Sequence, residues 1–268
     1  MTTYAIIDGD VAAYMACPPI LESRGGIYQV TLGAVNSPIF TIDEDSDYLG
    51  EAWDKFNFII NDLVEITFAD DFLMAVKIDE GFRRFIYPDY KIKRHSNPRH
   101  VNKFVPMLRK KAVLEGMAIE ATFREADDLL CMWAEQARRN GDDYIVCSID
   151  KDLKCIPGLH YNMKHNNFFE ISQEESLRFY YEQILKGDST DGVPGLPGVG
   201  TVYASKYLAD CHTEYEFRAK VIEAYKTVWE EDWRDYLLSN GKMLYLQRHP
   251  EDYFEVTGWL QESPSTQV

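Results

Sequence analysis

The chain has 268 residues and is 46% hydrophobic, which is enough for one large α/β unit or for a core with a smaller lobe. No segment approaches the roughly 20 consecutive apolar residues of a membrane helix, and the first residues predict a strand, not a signal peptide. The five cysteines lack CxxC spacing, which predicts reduced thiols. Together these features predict a cytoplasmic protein without membrane contact. The net charge of −16 argues against a nucleic-acid partner only as a global sum, because nine clustered carboxylates contribute more than half of it.

The order of apolar patterns predicts an α/β fold. Strand-like apolar runs occur at three places, residues 4–8, 72–78 and 144–149. Helical patterns accompany them near residues 52–68, 101–115 and 125–140. This alternation predicts a doubly wound, mainly parallel sheet with helices on both faces.

Two further segments complete the predicted organisation. Residues 26–31 and 38–42 predict a β-hairpin around Asn36-Ser37, to which we assign no function. From about residue 174 onward the pattern is helical. We therefore predict an α/β core over residues 1–172 and a helical region over residues 173–268.

The carboxylates come in short clusters, most of them where a predicted strand ends. They are Asp8, Asp79, Glu125, Asp127, Asp128, Asp150, Asp152, Asp188 and Asp191. A single Asp is more often a helix cap or a turn residue than a ligand. However, the carboxyl ends of parallel strands share one edge of a sheet, and like charges repel unless cations lie between them. Oxygen-only ligands favour Mg²⁺ or Mn²⁺ over zinc, and two such ions about 4 Å apart can promote phosphodiester hydrolysis.

A cationic run lies between the acidic clusters. Residues 83–111 contain ten Lys or Arg and a single acid, Asp89. The run is interleaved with aromatic residues, among them Tyr90, which favours a nucleic-acid strand guided toward the metals because bases stack on aromatic rings. Within it we take Lys93 and Arg99 as candidate DNA contacts. A solvated, charged loop is the alternative interpretation.

A glycine-rich segment follows the last acidic pair, with the sequence Gly192-Val193-Pro194-Gly195-Leu196-Pro197-Gly198-Val199-Gly200. Alternating Pro and Gly alone indicates only a turn. The repeated Gly-hydrophobic-Pro order, followed by Lys206, predicts a helix–hairpin–helix that holds the backbone of duplex DNA. We assign DNA contacts to Gly195, Gly198 and Gly200, whose amides can approach phosphate closely, and to Lys206.

Two other function classes fit parts of the sequence. Ile7-Asp8-Gly9-Asp10-Val11 resembles the nucleophile motif of haloacid-dehalogenase phosphatases, in which Asp8 would be phosphorylated and Asp10 would be the general acid. Ser148, Lys164 and the segment Gly187-Asp188-Ser189-Thr190-Asp191 could complete that set. The middle acidic clusters, the cationic run and the hairpin would stay unexplained. A non-catalytic DNA-binding protein would need the hairpin but not the acids.

These residues together resemble the 5′-nuclease, or flap endonuclease-like, superfamily with its PIN-type core, and within it the 5′→3′ exonucleases of T-odd bacteriophages. The resemblance spans about residues 5–208. The segments that carry it are Ile7-Asp8-Gly9-Asp10, Ile78-Asp79, Tyr87-Pro88-Asp89-Tyr90-Lys91-x-x-Arg94, Arg124-Glu125-Ala126-Asp127-Asp128, Ser148-Ile149-Asp150-Lys151-Asp152 and Lys186-Gly187-Asp188-Ser189-Thr190-Asp191-Gly192. It implies a basic arch region at about residues 81–115 and, for a phage protein, work in the host cytoplasm.

The resemblance implies two Mg²⁺ sites, with Mn²⁺ able to substitute. The first metal would lie near Asp8, Asp79, Glu125, Asp127 and Asp128. The second would lie near Asp150, Asp152, Asp188 and Asp191. Asp150 would lean toward both metals, which makes it a catalytic residue as well as a ligand.

Further roles follow from the resemblance alone. Lys91 and Arg94 would contact the scissile phosphate and neutralise developing charge. Tyr90 would stack on the terminal nucleotide, and K⁺ would bind at the hairpin. Two prolines in the arch region, Pro98 and Pro106, predict that it is not a single continuous helix.

The function that this implies is a metal-dependent 5′→3′ exodeoxyribonuclease acting as a monomer on double-stranded DNA. RNA in RNA–DNA hybrids is the implied second substrate. A structure-specific flap endonuclease acting on flapped DNA is the alternative.

Overall fold

A computed structural model describes residues 1–17, 20–22, 28–30, 45–92, 104–257 and 259. Three predicted site residues, Lys93, Arg94 and Arg99, lie outside the described residues, as does the predicted strand at residues 38–42.

The described strands and helices follow one another in α/β order. The strands are β1 Thr3–Asp8, β2 Ile20–Glu22, β3 Tyr28–Val30, β4 Asp71–Val76, β5 Ile119–Glu120, β6 Asp143–Ser148, β7 Gly158–Asn162 and β8 Asn167–Ile171. The helices are α1 Gly9–Ala16, α2 Asp45–Thr67, α3 Arg83–Ile86, α4 Phe104–Leu114, α5 Ala126–Asn140, α6 Gln173–Lys186, α7 Thr201–Tyr207, α8 Glu214–Trp229 and α9 Trp233–Leu244. Short 3₁₀ segments lie at Lys151–Cys155 and Glu230–Asp232.

The main sheet has six strands in the order β5-β4-β1-β6-β7-β8. Strand β1 pairs in parallel with both β4 and β6, and β4 pairs in parallel with β5. The mainly parallel sheet is therefore confirmed, and its three predicted strands are found within two residues of their predicted ends. Strands β2 and β3 form a separate antiparallel pair.

Strand β1 lies between β4 and β6, so its last residue, Asp8, lies beside the ends of both neighbouring strands. In the register with β4, Asp8 is opposite Ala75, and in the register with β6, Ile7 is opposite Cys147. Helix α1 begins directly after Asp8 at Gly9, where a Cβ would lie 2.6 Å from the carbonyl oxygen of Ala75. Only a glycine lets the chain turn into the helix this close to β4.

The contacts divide the chain into two compact units. Unit 1 consists of residues 1–80, 98–149 and 160–168, and unit 2 consists of residues 81–97, 150–159 and 169–268. The predicted domains, residues 1–172 and 173–268, stay a proposal.

Each unit has its own hydrophobic core. In unit 1, residues of the central strands pack against α1, α2 and α4, and fully buried members are Ile7, Phe56, Met74 and Leu108. In unit 2, α6, α8 and α9 contribute the core, with Tyr181, Ile184, Phe217, Val221 and Leu237.

Local sequence explains the helix ends near the carboxylates. Helix α5 stops at Gly141, whose φ of 74° is the left-handed conformation of a helix C-terminus. Helix α6 starts at a capping box in which Ser172 and Glu175 exchange hydrogen bonds. Pro106 lies in the first turn of α4, where its missing N–H costs little. In the described part of the arch region, α3 ends before Tyr87, whose backbone is extended, so the region is not one continuous helix.

Within the described ranges, no helix has the length and apolar character to cross a bilayer. The five cysteines, all of them in described positions, form no disulfide.

Candidate metal centre and nucleic-acid interface

Asp8 is held at the carboxyl end of β1 by two hydrogen bonds. The hydroxyl of Ser148 donates to its Oδ2 at 2.6 Å, and the amide of Val11 donates to its Oδ1 at 3.1 Å. Both Asp8 and Ser148 are buried. Asp8 therefore caps α1, as a helix-capping Asp does, and is also fixed in orientation by the neighbouring strand.

Lys77, the residue after β4, connects the end of that strand with the starts of helices α1 and α5. Its ammonium donates to Oε1 of Glu125 at 2.9 Å, and its amide donates to Oδ1 of Asp10 at 2.9 Å. Asp10 also pairs with Arg109, at 2.9 Å. Burial raises the pKa of Asp10, and the nearby Arg109 opposes that increase. Asp10 thus has a positioning role between β4 and α4.

The start of α5 brings further carboxylates into unit 1. Glu125 and Asp128 are buried, and the amide of Glu125 donates to Oδ2 of Asp128 at 3.0 Å. Asp127 is half-buried, whereas Asp79 is exposed and accepts a 3.5 Å hydrogen bond from the amide of Phe123. We call Asp8, Asp79, Glu125, Asp127 and Asp128 the unit-1 carboxylates.

The other four predicted ligands, Asp150, Asp152, Asp188 and Asp191, are the unit-2 carboxylates. Lys151 lies among them, with its ammonium 2.6 Å from Oδ2 of Asp188 and 4.0 Å from Oδ1 of Asp152. The buried Gln183 of α6 donates to Oδ1 of Asp152 at 2.7 Å. These contacts join the 3₁₀ segment, α6 and the segment after α6 within one unit.

The electrostatics of the unit-2 carboxylates are those of crowded like charges. Burial and then the repulsion from Asp150 raise the pKa of Asp152. Burial also acts to raise the pKa of Asp188, but the hydrogen bond and charge of Lys151, together with hydrogen bonds from the amides of Thr190 and Asp191, outweigh it and lower that pKa. Lys151 therefore favours the ionised form of Asp188.

Several unit-2 carboxylates also shape their own backbone. Asp150 accepts from the amide of Asp152 at 2.9 Å, and Oδ1 of Asp188 accepts from the amides of Thr190 and Asp191, at 2.8 and 3.3 Å. Asp188 and Asp191 are buried, while Asp150 is exposed.

Lys91 and Tyr90 both contact Asp191. The amide of Lys91 donates to the carbonyl oxygen of Asp191 at 2.8 Å, and its ammonium lies 3.6 Å from Oδ2. Lys91 has a φ of 57°, a strained conformation for a residue with a side chain. Tyr90 is 5% exposed and packs with Val193 and Met243. Its stacking on a nucleotide stays a prediction, which the buried ring does not favour.

The hairpin glycines fall into two groups. Gly195 is buried, has a φ of 64°, and its amide donates to Oδ1 of Asn240 at 3.4 Å. A Cβ on Gly195 or on Gly187 would overlap the backbone of the other segment, so both positions need glycine. Gly198 and Gly200 are exposed, and no described atom lies within 4 Å of a Cβ built there.

The remaining cations differ in access. Lys206 is exposed on α7. Arg83, which the sequence places in the cationic run, is 1% exposed and donates from Nε to the carbonyl oxygen of Met243 at 3.1 Å. It also bonds to the carbonyl oxygen of Tyr245. Arg83 is therefore a structural residue, not a DNA contact.

The sequence analysis assigned no role to Lys77, Lys151 or Gln183. It gave Ser148 a role only in the phosphatase interpretation. Lys151 could have been found, because it is a lysine placed between two aspartates of the Asp-x-Asp segment. Lys77 and Gln183 gave no such signal, since their partners are distant in the sequence.

The carboxylates fit a hard divalent cation in their chemistry, because all of their donor atoms are oxygens. In the part of the chain that is described, no three His, Cys, Asp or Glu side chains are close enough together to hold a metal ion as placed. Instead, lysine ammonium groups form ion pairs with two of the carboxylates, Lys77 with Glu125 in unit 1 and Lys151 with Asp188 in unit 2.

Comparison with known proteins gives a family match. A family model described as the 5′-3′ exonuclease, N-terminal resolvase-like domain matches residues 5–182, more than half of the chain. DNA polymerase I of Rhizobium leguminosarum is 26% identical over 262 residues, covering 91% of this chain and 24% of that protein. Flap endonuclease Xni of Shewanella amazonensis is 31% identical over 138 residues, covering 48% of this chain and 54% of that protein. The chain thus spans between a quarter and about half of the length of these relatives.

Solved structures of bacteriophage T5 proteins share the fold. T5 5′-exonuclease with bound divalent metal ions (zinc) matches with a TM-score of 0.60 at 13% identity, over 90% of this chain and 86% of that one. A pseudo-enzyme–product complex of the T5 D15 flap endonuclease with DNA and metal ions matches with a TM-score of 0.56 at 14% identity, with the same coverage.

Proposed function

This chain belongs to the 5′-3′ exonuclease family, and from that membership we propose that it is a metal-dependent 5′→3′ exodeoxyribonuclease. It would hydrolyse phosphodiester bonds from DNA 5′ ends and leave 5′-phosphate products. The observation that carries the proposal is the family match over residues 5–182. The matched residues include seven of the nine predicted ligands, all of those up to Asp152, and the start of the helical region.

The donor residues of this chain support the metal requirement. We assign one divalent cation, Mg²⁺ or Mn²⁺, to the unit-1 carboxylates and one to the unit-2 carboxylates. When bound, such cations activate water and stabilise the leaving oxygen of a phosphodiester. Buried Asp8, Asp128 and Asp188 give the ions oxygen ligands with little competition from solvent.

Lys91 is the described residue that we assign to the scissile phosphate. Its ammonium already lies beside the carboxylate of Asp191, and its backbone is tied to that residue. Binding of a cation by Asp191 would release the ammonium for a phosphate oxygen, where it offsets developing negative charge. Arg94, outside the described residues, has the same proposed role.

We assign the grip on duplex DNA to the exposed part of the hairpin. Gly198, Gly200 and Lys206 are exposed, so their amides and ammonium can reach a phosphate backbone. The proposal includes K⁺ at this helix–hairpin–helix. Gly195 supports the hairpin from inside, because its amide is bonded to Asn240. RNA–DNA hybrids as second substrates and a monomeric state belong to the same proposal.

A structure-specific flap endonuclease is the second candidate. It is favoured by the relatives named flap endonuclease Xni, which match about half of this chain at up to 31% identity. Haloacid-dehalogenase chemistry loses its support, since the family match covers the middle acidic clusters that it left unexplained.

The test uses 3′-labelled blunt, nicked and flapped DNA duplexes, each incubated with Mg²⁺ or with a chelator. A Mg²⁺-dependent ladder that starts at the 5′ end of blunt DNA supports the exonuclease. Release of intact flaps alone would support the second candidate. Turnover of a small phosphate ester without DNA cleavage would contradict both.

A further inference from the structure

Lys151 occupies an unusual place among the unit-2 carboxylates. It stands between Asp150 and Asp152 in the sequence, and its ammonium contacts Asp188 at 2.6 Å and Asp152 at 4.0 Å. The two ends of the closer pair differ in exposure, because the lysine side chain is 60% exposed while that of Asp188 is 6% exposed. The ammonium thus reaches from solvent to a buried carboxylate.

A buried carboxylate with other carboxylates around it needs a counter-charge. Without one, desolvation and repulsion destabilise its ionised form. Lys151 supplies this charge, because a short hydrogen bond to a carboxylate is charge-assisted. A divalent cation would supply twice the charge at the same oxygens, so ammonium and metal compete for them.

The exposure of Lys151 allows its ammonium to leave the carboxylate oxygens. A side chain that is 60% exposed loses little packing when it turns into solvent, where its ammonium is well hydrated. Lys91, by comparison, is 19% exposed and is tied to Asp191 through its backbone amide. Lys151 is therefore the easier of these two lysines to displace.

We propose that Lys151 is a displaceable internal cation of the unit-2 carboxylates. It offsets part of the negative charge of Asp188 and Asp152 while no divalent ion is bound, and it turns into solvent when one binds. This inference rests on the proposed metal site and gives Lys151 a positioning role, since it acts through the carboxylates. It also sets the metal affinity, because the binding free energy includes the cost of displacing the ammonium.

The inference predicts two opposite effects of Lys151→Met. Without divalent ions the variant should unfold at a lower temperature, because Asp188 loses its counter-charge. With its competitor removed, the same site should bind Mn²⁺ about fivefold more tightly, which corresponds to about 1 kcal/mol for such a pair. Removal of a lysine whose ammonium does not contact these oxygens would not tighten Mn²⁺ binding to this extent. Lys154→Met, at an exposed position of the same 3₁₀ segment, is the matched control.

The experiment titrates metal-free full-length protein with Mn²⁺ in a calorimeter and measures the melting temperature with and without Mn²⁺. Tighter binding together with a lower metal-free melting temperature in Lys151→Met, with Lys154→Met like wild type, is the expected result. Equal or weaker binding by Lys151→Met, when wild type binds Mn²⁺, would overturn the inference and leave the proposed function intact. Absence of Mn²⁺ binding by wild type would overturn the proposed metal site itself.

A second measurement needs no variant and so does not depend on the folding of one. Wild-type protein is acetylated briefly in Mg²⁺ or in chelator, and the modified lysines are quantified by peptide mass spectrometry. Labelling of Lys151 should rise severalfold in Mg²⁺, while that of Lys154 stays constant. Labelling of Lys151 that stays constant or falls in Mg²⁺, in protein shown to bind the ion, would overturn the displacement.

Discussion

The hydroxyl of Ser148 donates a 2.6 Å hydrogen bond to Oδ2 of Asp8, and the two residues are the last of the adjacent parallel strands β6 and β1. Both side chains are buried. Since the other oxygen of Asp8 accepts from Val11, the carboxylate is fixed before any ligand binds. Such fixing reduces the free-energy cost of ordering a metal ligand.

Replacing Ser148 with Ala should reduce stability and weaken metal binding. The buried carboxylate of Asp8 would lose a hydrogen-bond donor, which costs about 1–3 kcal/mol. Urea denaturation followed by circular dichroism measures the loss, and Mn²⁺ titration measures the affinity. Ser205→Ala, at an exposed position of α7, is the control and should stay within about 0.5 kcal/mol of wild type. Equal stabilities of the two variants would contradict the role of the bond.

The two groups of hairpin glycines should respond differently to substitution. Gly195→Ala places a Cβ against the backbone at Gly187, at a φ of 64°, and should lower the free energy of unfolding by at least about 2 kcal/mol. Gly198→Ala meets open space, so it should cost only the left-handed strain of about 1 kcal/mol. Thermal and urea denaturation of both variants test this. Equal losses of unfolding free energy in the two variants would contradict the distinction between the buried and the exposed glycines.

The hydrogen bonds to Asp252 should make stability pH-dependent. Burial acts to raise the pKa of Asp252, but the hydrogen bonds from Arg248 and Tyr245 outweigh it and lower that pKa below its ordinary value of 3.8. A lowered pKa in the folded state stabilises the protein above the unfolded value, and this stabilisation is lost as the pH falls through the folded value. Asp252→Asn should therefore cost about 1 kcal/mol at pH 7.

This difference between wild type and Asp252→Asn should stay constant down to about pH 5 and shrink as the pH falls through 4 and below. Urea denaturation at a series of pH values measures it. A difference that grows with falling pH would show that the carboxylate does not stabilise the fold in its ionised form.

The sequence predicts the central strands well because they are continuous apolar runs in a buried sheet. Strands β7 and β8 were missed, since they are short and leave residues such as Leu159 and Phe168 40% and 45% exposed. Such half-exposed strands give no apolar run, and the turn between them is polar. Strand β5 has only two residues and leaves no pattern at all.

For the site, the sequence identifies the carboxylates because they are clustered, but it does not identify what holds them. Lys77 meets Glu125 across 48 positions, a contact that only the fold creates. Charge counting likewise treats Arg83 as available to DNA, although the fold buries it against backbone carbonyls. Tyr90, predicted as a stacking platform, is packed inside unit 2. The local sequence around Arg83 and Tyr90 does not predict that their side chains are buried.

Asp150→Asn tests the central claim most directly, because it changes charge and keeps local structure. Asp150 accepts a hydrogen bond from the amide of Asp152, and the amide oxygen of Asn can accept the same bond. Losing a metal ligand removes several kcal/mol of transition-state stabilisation, which corresponds to a rate loss of at least about 100-fold. Asp210→Asn, at an exposed position in the same unit, is the control.

The measurement follows cleavage of a 3′-labelled duplex in Mg²⁺ and, on the same samples, binding of that duplex by fluorescence anisotropy in chelator. The metal-dependent nuclease predicts that Asp150→Asn loses cleavage and keeps wild-type binding, with Asp210→Asn like wild type in both. Mg²⁺-dependent cleavage at the wild-type rate by Asp150→Asn would contradict the claim.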